Sequence, residues 1–590
     1  MQYKLYKNGT NNISDVVKEV LINRGIKDYN TYLNLDESVI QPYSRLDNIY
    51  EGVDMFMGHF NNRNGVGILV DEDPDGFCSA AMMYLYIKRM DNQYPIKYIL
   101  HQRAKAHGLS DDVSIPDDIK LLIIPDAGTN DKEECKRLKG RNIDILILDH
   151  HEIEEKNQNA IIINNQSSDS YTNKSLCGAG IVYRFLQALD DVNWTEFADD
   201  YLDLCALANI SDVMDMRSFE TRYITNIGLL NIKNKCLEAL IKAQDYSMNG
   251  KVNIHNVQWY ITPILNGMIR VGSLEEKELL FRAFIEKDEF FEWKKRAVKG
   301  NPPSIVQESI YDRAARLCKN AKARQDKSKE KSVSQIIEIA ESEPYDDKVL
   351  MIDTSGILDN GLTGVVAIKI AERFNKPCIL LNKYVDSKTG ELVYGGSARN
   401  INHSPIDSFK DIINSTGVFN FGKGHANAFG VNIDISLKNK AVNVLNDILR
   451  DTEYNSTYNV DFILDIEEID ISLIMSLSIF EDIIGQGIDE PMFAVENIIL
   501  SRDQFELFGK KEDTISFCVN DIKYVQFKCR EGNELYDWLN NSWDSDDIIT
   551  FNIVGKPAVN EYMGTRTPQI IIEDLVVINT TNDIDEDEDW

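Results

Sequence analysis

From Val66 onward the chain alternates short apolar, β-branched runs with longer stretches of helical spacing. Val66–Val70 (VGILV) is followed by the turn-like DEDPDG and then by helical periodicity from Phe77 to Met90. Leu121–Pro125 (LLIIP), Ile143–Leu148 (IDILIL) and Ile161–Ile163 repeat the theme. Short β-branched runs set between helical stretches predict a doubly wound parallel sheet, an α/β domain. Residues 181–245 read as helical. Residues 303–343 read as a long polar helix with basic content: Lys319, Lys322, Arg324, Lys327, Lys329 and Lys331. A new strand opens at Lys348 (KVLMID) and begins a second α/β unit running to about Arg450. Beyond Tyr458, the short runs ISFCVN, YVQFKC, IITFNIVG and QIIIEDLVVI predict a small β-barrel or sandwich.

The expected division is therefore residues 1–60, 61–240, 241–345, 346–450, 455–580 and an acidic tail, 581–590. Residues 1–60 mix helical patterns with polar turns and carry no legible chemistry. The tail, ending DIDEDEDW, reads as disordered. There is no repeat of solenoid period.

Composition narrows the classes. The chain has 590 residues, 43% hydrophobic and 27% charged, which is a globular mix. Its formal charge of −32 argues against a nonspecific nucleic-acid coat, because polyanions repel. It leaves room for a basic groove within an acidic body, or for metals held by clustered carboxylates. The nine cysteines form no CxxC pair, so no structural zinc site is expected, and their odd, scattered count suits a reducing cytosol. No apolar run reaches the roughly 18 residues of a membrane span, and none at the start has signal-peptide length. A cytoplasmic chain without membrane contact is expected.

The candidate chemistry lies in position. Three apolar runs end directly in acids or imidazoles: Asp71, Asp73 and Asp75; Asp126; then Asp149, His150 and His151. Asp212 follows a fourth apolar stretch, LCALANI. Ligands of open parallel sheets bind outside the carboxyl ends of the strands, so these groups should meet in one crevice. A single Asp at a strand end is usually a helix N-cap. Four such motifs in order do not read as independent caps. Oxygen donors plus imidazole, with no thiolate, suit Mn²⁺ or Mg²⁺. So many carboxylates share a cleft only with cations present. Two ions about 3.5–4 Å apart, bridged by a carboxylate and a water, would neutralise them and clamp an in-line displacement at phosphorus.

These residues carry a resemblance. DEDPDG, PDAG, LDHH and NISDV resemble the four motifs of the DHH phosphoesterase superfamily. The resemblance extends to its RecJ-like branch, the single-strand-specific 5′→3′ DNA exonucleases. HQRAKAHGLS (101–110) resembles an arginine-then-GYGL segment, and NNQSSDSYTNKSLCGAG (164–180) is similar to NPNQ…SLCGAG. ITPILNGMIRVG (261–272) resembles GPRINAAGRLG. GGSARN (395–400) and GHANAFG (424–430) resemble the GSxR and GGHxxAAG motifs of the DHHA1 domain, and IIGQGIDEPMF (483–493) resembles the FGQGNPEP lead into an OB-fold.

The resemblance implies a parallel-sheet DHH domain, a smaller α/β DHHA1 domain joined to it by a long helix, and a C-terminal OB-like β-barrel. It implies Asp73 on one metal, Asp75 on the other, Asp126 bridging, and His150 with Asp212 completing the second site. Asp71 joins the metal set directly or from behind it, and Asp149 orients the adjacent imidazole. His151 would face the scissile phosphate. Arg103, Arg270, Ser397 and Arg399 would receive the terminal 5′-phosphate, with Lys423 and His425 as further substrate contacts. The implied activity is metal-dependent 5′→3′ hydrolysis of single-stranded DNA to 5′-mononucleotides, in recombination, repair or replication. The implied setting is a monomer with single-strand-binding protein or a helicase as partner, on a phage or prophage.

Two departures stand out. GKGH places Lys423 where a glycine pair is usual, offering an extra phosphate contact. Phe429 replaces a small residue before Gly430, where it would stack a base or narrow the groove. In the barrel, Tyr524, Phe527 and Tyr562 are candidate stacking rings, though such rings are commonly core. Gly417–Gly424 falls short of a P-loop, because a glycine follows the lysine. Two rival functions remain: a DHH phosphodiesterase for short RNAs or cyclic dinucleotides, and a nucleic-acid-binding scaffold without catalysis.

Overall fold

The computed structural model describes residues 1–580 except 8, 102–106, 111–112, 296–303, 343–346, 359, 387–389, 455, 510–511, 531, 543–546 and 563–564. Two compact units emerge. One comprises Arg24–Gln325 with Glu481–Asp489; the other comprises Met1–Asn23, Asp326–Phe480 and Glu490–Trp590.

The first unit is built on a five-stranded sheet. Its strands are, in spatial order, Ile96–Leu100, Gly65–Val70, Ile119–Pro125, Asp144–Asp149 and Ile161–Asn164, all parallel. The edge strand Ile96–Leu100 adds to the four runs legible in the sequence; with alternating exposure (IKYIL), it lacks their unbroken apolar character. The inner strands are apolar throughout because helices cover both faces. On one face Leu122, Ile124, Ile145 and Ile147 pack with Cys135 and Leu138 of the helix Lys132–Lys139. On the other lie the helices Pro74–Met90 and Gly178–Asn193, which pack on each other and on the helix Leu202–Ser211.

The chain order across the sheet reverses between Gly65–Val70 and Ile119–Pro125, which makes their carboxyl ends the switch point where such sheets bind ligands. The expected helix of 303–343 begins at Ile310 and runs to Ser342. Before it, Phe290–Lys295 and Ser304–Ser309 form an antiparallel hairpin.

Among the described residues the second unit holds two larger sheets and one two-stranded pair. A five-stranded mixed sheet has the order Phe421–Gly424, Ala428–Asp434, Leu392–Arg399, Cys378–Val385 and Leu350–Asp353. Only its last pair is parallel. The seven-stranded C-terminal sheet runs from Phe462–Asp465 through Phe493–Ser501, Ile548–Tyr562, Thr565–Thr580, Ile522–Phe527 and Thr514–Val519 to Glu506–Phe508. Phe505, Phe517, Tyr524 and Phe551 fill its interior. The N-terminal strand Gln2–Leu5 pairs in parallel with Thr457–Val460 of this unit. Among the described residues, no helix is long and apolar enough to cross a membrane.

Candidate metal centre

Asp71, Asp73 and Asp75 follow Gly65–Val70, Asp126 follows Ile119–Pro125, and Asp149 ends its strand with His150 and His151 beyond it. The fold brings these groups together with Asp212, just past the helix Leu202–Ser211. Among the described residues, three sets of side chains approach closely enough to share an ion: Asp71, Asp73 and Asp126; Asp75, His150 and Asp212; and Asp126 with Asp149, His150 and His151. His150 Nε2 lies 3.2 Å from Asp126 Oδ1, 3.4 Å from Asp212 Oδ2 and 3.8 Å from Asp75 Oδ2.

Each acid is held differently. Asp73 is the N-cap of the helix Pro74–Met90, accepting the Gly76 N–H at 2.8 Å, so the cap role and a ligand role coincide in one residue. Asp75 is 1% exposed and accepts three hydrogen bonds: from Gly178 N–H at 2.6 Å, Ala179 N–H at 2.8 Å and Ser79 Oγ at 3.0 Å. The first two donors open the helix Gly178–Asn193, so a helix amino end stabilises this buried charge. Asp126 stands in the left-handed region, φ 65°, where only a constrained non-glycine residue persists. A Cβ on Gly178 would lie 2.5 Å from Asp126 Cβ, so the close approach requires glycine there. Asp149 accepts from His151 Nδ1 and from the Thr129 and His150 N–H groups. Its lone pairs orient the loop and the His151 ring.

The electrostatics call for cations. Burial, reinforced by Asp75 and Asp71, lifts Asp73 to about 6. Burial with the charges of Asp75 and Asp73 raises Asp126 well above the carboxylate range and Asp212 to about 8. Burial lowers His150. Burial alone would raise Asp149, but the hydrogen bond from His151 and the histidine charges bring it below its usual value. Both Asp126 oxygens and His150 Nε2 are buried without a hydrogen-bond partner among the described residues. Buried polar atoms are rarely left so, and these atoms are the donor set a hard divalent ion takes. The residues fit the metal that the sequence implies.

Residues 65–209 match the DHH family, N-terminal domain, and residues 460–574 match the RecJ OB domain. A Bacillus subtilis (strain 168) protein named as an SPbeta prophage-derived single-strand DNA-specific exonuclease, YorK, is 37% identical over 586 residues, covering 98% of this chain and 99% of the relative. The chain belongs to the RecJ-like branch of the DHH family. The single-stranded-DNA-specific exonuclease RecJ of the same strain is 24% identical over 585 residues, 96% of this chain and 68% of that one. The fold matches RecJ of Thermus thermophilus solved with Mn²⁺, with a TM-score of 0.71 and 15% identity over 98% of this chain and 80% of that one. The same protein solved with Mg²⁺ gives a TM-score of 0.66.

In this RecJ-like chain the remaining expected residues fall in several places. Arg103 lies outside the described residues. Arg270 is exposed on the helix Thr262–Val271 of the DHH unit. Ser397, Arg399, Lys423 and His425 belong to the second unit. There Ser397 Oγ meets Thr363 Oγ1 at 2.9 Å. Arg399 and His425 line one cavity of about 590 Å³ with Asn402, Ser404 and Asn427. Burial lowers Arg399. Lys423 is exposed, its Nζ 5.9 Å from the Phe421 ring.

Phe429 does not offer a stacking face. It is 3% exposed and packs edge-on against Phe409, because its strand turns it into the sheet's core. Tyr524 is likewise core, stacked on Phe517 at 4.8 Å, whereas Phe527 is exposed. The Tyr562 side chain and the acidic tail lie outside the described residues. Within the expected basic run, Lys319 bonds the Ala243 carbonyl and Arg324 pairs with Glu276.

Three residues were missed by sequence reasoning. His107 Nδ1 sits 2.8 Å from Asp71 Oδ2, and this bond raises the imidazole to about 9. His101 is 2% exposed, its Nε2 3.8 Å from Asp71 Oδ1. Lys277 forms a buried ion pair with Glu72 at 2.6 Å, pinning the acidic loop. The histidines carried a signal: both lie in the segment 101–110 that resembles the arginine-then-GYGL motif. Lys277 carried none.

Proposed function

We propose that this chain is a metal-dependent exonuclease that degrades single-stranded DNA in the 5′→3′ direction, releasing 5′-mononucleotides. The supporting observation is the set of buried, unpartnered ligand atoms of Asp126 and His150 at the sheet's switch point, inside an acid cluster that only cations reconcile. The names of its relatives supply the substrate class.

Two divalent ions, Mn²⁺ or Mg²⁺, would be held by Asp73 and Asp75 individually and by Asp126 in common, with His150 and Asp212 completing the second position and Asp71 supporting the first. Bound ions supply charge neutralisation at phosphorus and an activated water. Asp149 fixes the His151 ring through Nδ1. The His151 Nε2–H then faces the scissile phosphate and donates to the leaving 3′ oxygen. Helix-end N–H groups hold the Asp75 carboxylate in place. From the resemblance, Arg103 and Arg270 of one unit and Ser397 and Arg399 of the other are each assigned to the terminal 5′-phosphate, whose oxygens guanidinium forks match. Lys423 and His425 are further contacts of the strand. Recognition of that phosphate sets the polarity. The OB-like domain extends the grip along the strand. The family's work in recombination, repair or replication, on a prophage or phage, is the natural setting.

One oligonucleotide labelled in parallel at its 5′ or 3′ end tests the reading with Mn²⁺. Early labelled mononucleotide from the 5′ label, with a shrinking ladder from the 3′ label, is expected. The reverse pattern would overturn the phosphate pocket. Absence of cleavage despite metal binding would overturn the exonuclease reading itself.

A further inference from the structure

His107 occupies the place of the tyrosine in the segment that resembles the GYGL motif, and this changes what faces the mouth of the metal centre. Its Nδ1 is anchored 2.8 Å from Asp71 Oδ2, while the Gly108 N–H holds the other Asp71 oxygen at 2.8 Å. His151 is anchored in the same way, Nδ1 to Asp149 Oδ1 at 2.8 Å, while the Thr129 N–H holds the other Asp149 oxygen at 3.1 Å. A carboxylate only accepts, so each ring carries a proton on Nδ1 and directs Nε2 away from its anchor. A carboxylate behind an imidazole is the arrangement that fixes a histidine's tautomer and orientation for metal binding through the other nitrogen.

The two rings stand together, centroids 4.9 Å apart and planes inclined at 67°. Two imidazoles sharing one ion in cis, each nitrogen about 2.1 Å from it, have centroids on the order of 5 Å apart. The side chains are 56% and 42% exposed, so water can complete a coordination shell. His101 is buried beside Asp71, with neither ring nitrogen hydrogen-bonded among the described residues. A nitrogen-only pair is a poor site for Mg²⁺. It suits ions such as Ni²⁺, Cu²⁺ or Zn²⁺.

We propose that His107 and His151 form a bis-imidazole site for a transition ion at the solvent face of the carboxylate centre, separate from the ions that centre holds. An ion there displaces any proton on the two Nε2 atoms. It thereby occupies the nitrogen of His151 that faces the scissile phosphate, and so inhibits cleavage. The inhibition rests on the exonuclease reading; the binding does not.

The test titrates Ni²⁺ calorimetrically into the full-length chain in excess Mg²⁺, beside His107→Tyr and His107→Ala. Tyrosine fills the space and alanine empties it, so a packing defect in one variant does not decide the result. Wild type is expected to bind one Ni²⁺ per chain at this site, with affinity falling about 10-fold or more in both variants. The Ni²⁺ concentration that halves Mg²⁺-supported cleavage, normalised to each variant's own nickel-free rate, should rise by the same factor. Superimposable isotherms for wild type and both variants would overturn the site, even in a chain that cleaves DNA. Binding that depends on residue 107 in a chain that cleaves nothing would uphold the site and overturn the exonuclease reading.

Discussion

Asp126 concentrates the conflict between stability and chemistry at this centre. It is 1% exposed, held at φ 65°, and surrounded by Asp71, Asp73, Asp75 and Asp212. Without metal its charge opposes folding. Asp126→Asn keeps the shape and removes that charge, so the metal-free protein should melt higher, by roughly 1–2 °C for each ~1 kcal/mol of repulsion relieved. The same variant should lose the Mn²⁺-dependent rise in melting temperature and the exonuclease activity together. An unchanged Mn²⁺ shift in differential scanning fluorimetry would remove Asp126 from the metal set. The pH dependence follows with its sign. Asp73 and Asp212 titrate near 6 and 8 in the fold, against about 3.9 unfolded. A carboxyl whose native pKa is raised binds protons more tightly folded than unfolded, so stability falls as pH rises from about 4 to about 8. In chelator the protein should therefore denature more readily in urea at pH 8 than at pH 6, and Mn²⁺ should reverse the trend. Equal midpoints in chelator would mean that the acids are not crowded as the fold places them.

At the scale of elements, what was legible was what depends on local pattern. Apolar runs ending in acids specify a parallel sheet and the edge on which its ligands gather, because side-chain period and strand polarity are written in the chain itself. What the helix Gly178–Asn193 does for Asp75 is not so written. Two backbone N–H groups reach across 103 and 104 residues, and only the packed fold brings them there. Phe429 was misread for a related reason: its place beside a binding motif hid the direction in which its strand turns it. The strand Ser304–Ser309 falls inside the stretch 303–343 that reads as helix, because its pairing with Phe290–Lys295 is not written in the local pattern. Two predictions belong here. Gly178→Ala puts a methyl 2.5 Å from Asp126 Cβ, so either the helix start or the Asp126 turn must shift. Mn²⁺ affinity should fall about 10-fold or more while the circular dichroism spectrum is retained; calorimetry showing wild-type affinity would refute the close packing. Lys277→Met removes the cation of the buried pair with Glu72. Breaking a buried pair from one side costs about 3–5 kcal/mol, read as a lower urea midpoint. A cost below about 1 kcal/mol would place the pair in water.

For the molecule as a whole, the unresolved tension is a body of charge −32 that must capture a polyanion. Two electrostatic effects act over different ranges. Repulsion between the acidic body and an approaching strand is long-range, reaching about 30 Å at 0.01 M salt and about 8 Å at 0.15 M. Attraction between cationic side chains and individual phosphates is short-range, and counterion release weakens it steadily as salt rises. Added salt therefore first removes a barrier to encounter and then erodes the grip. The kcat/KM on a single-stranded oligonucleotide, at saturating Mg²⁺ and varied KCl, should pass through a maximum rather than decline from the lowest salt. Oligonucleotide length separates the two terms: a long strand meets more of the repulsive field, while the local phosphate contacts stay the same. The maximum should accordingly be sharper, and shifted to higher salt, for a long substrate than for one of a few nucleotides. A monotonic fall at every length would mean that cationic side chains near the site dominate the field a substrate meets, and that the acidic charge lies where the strand does not pass.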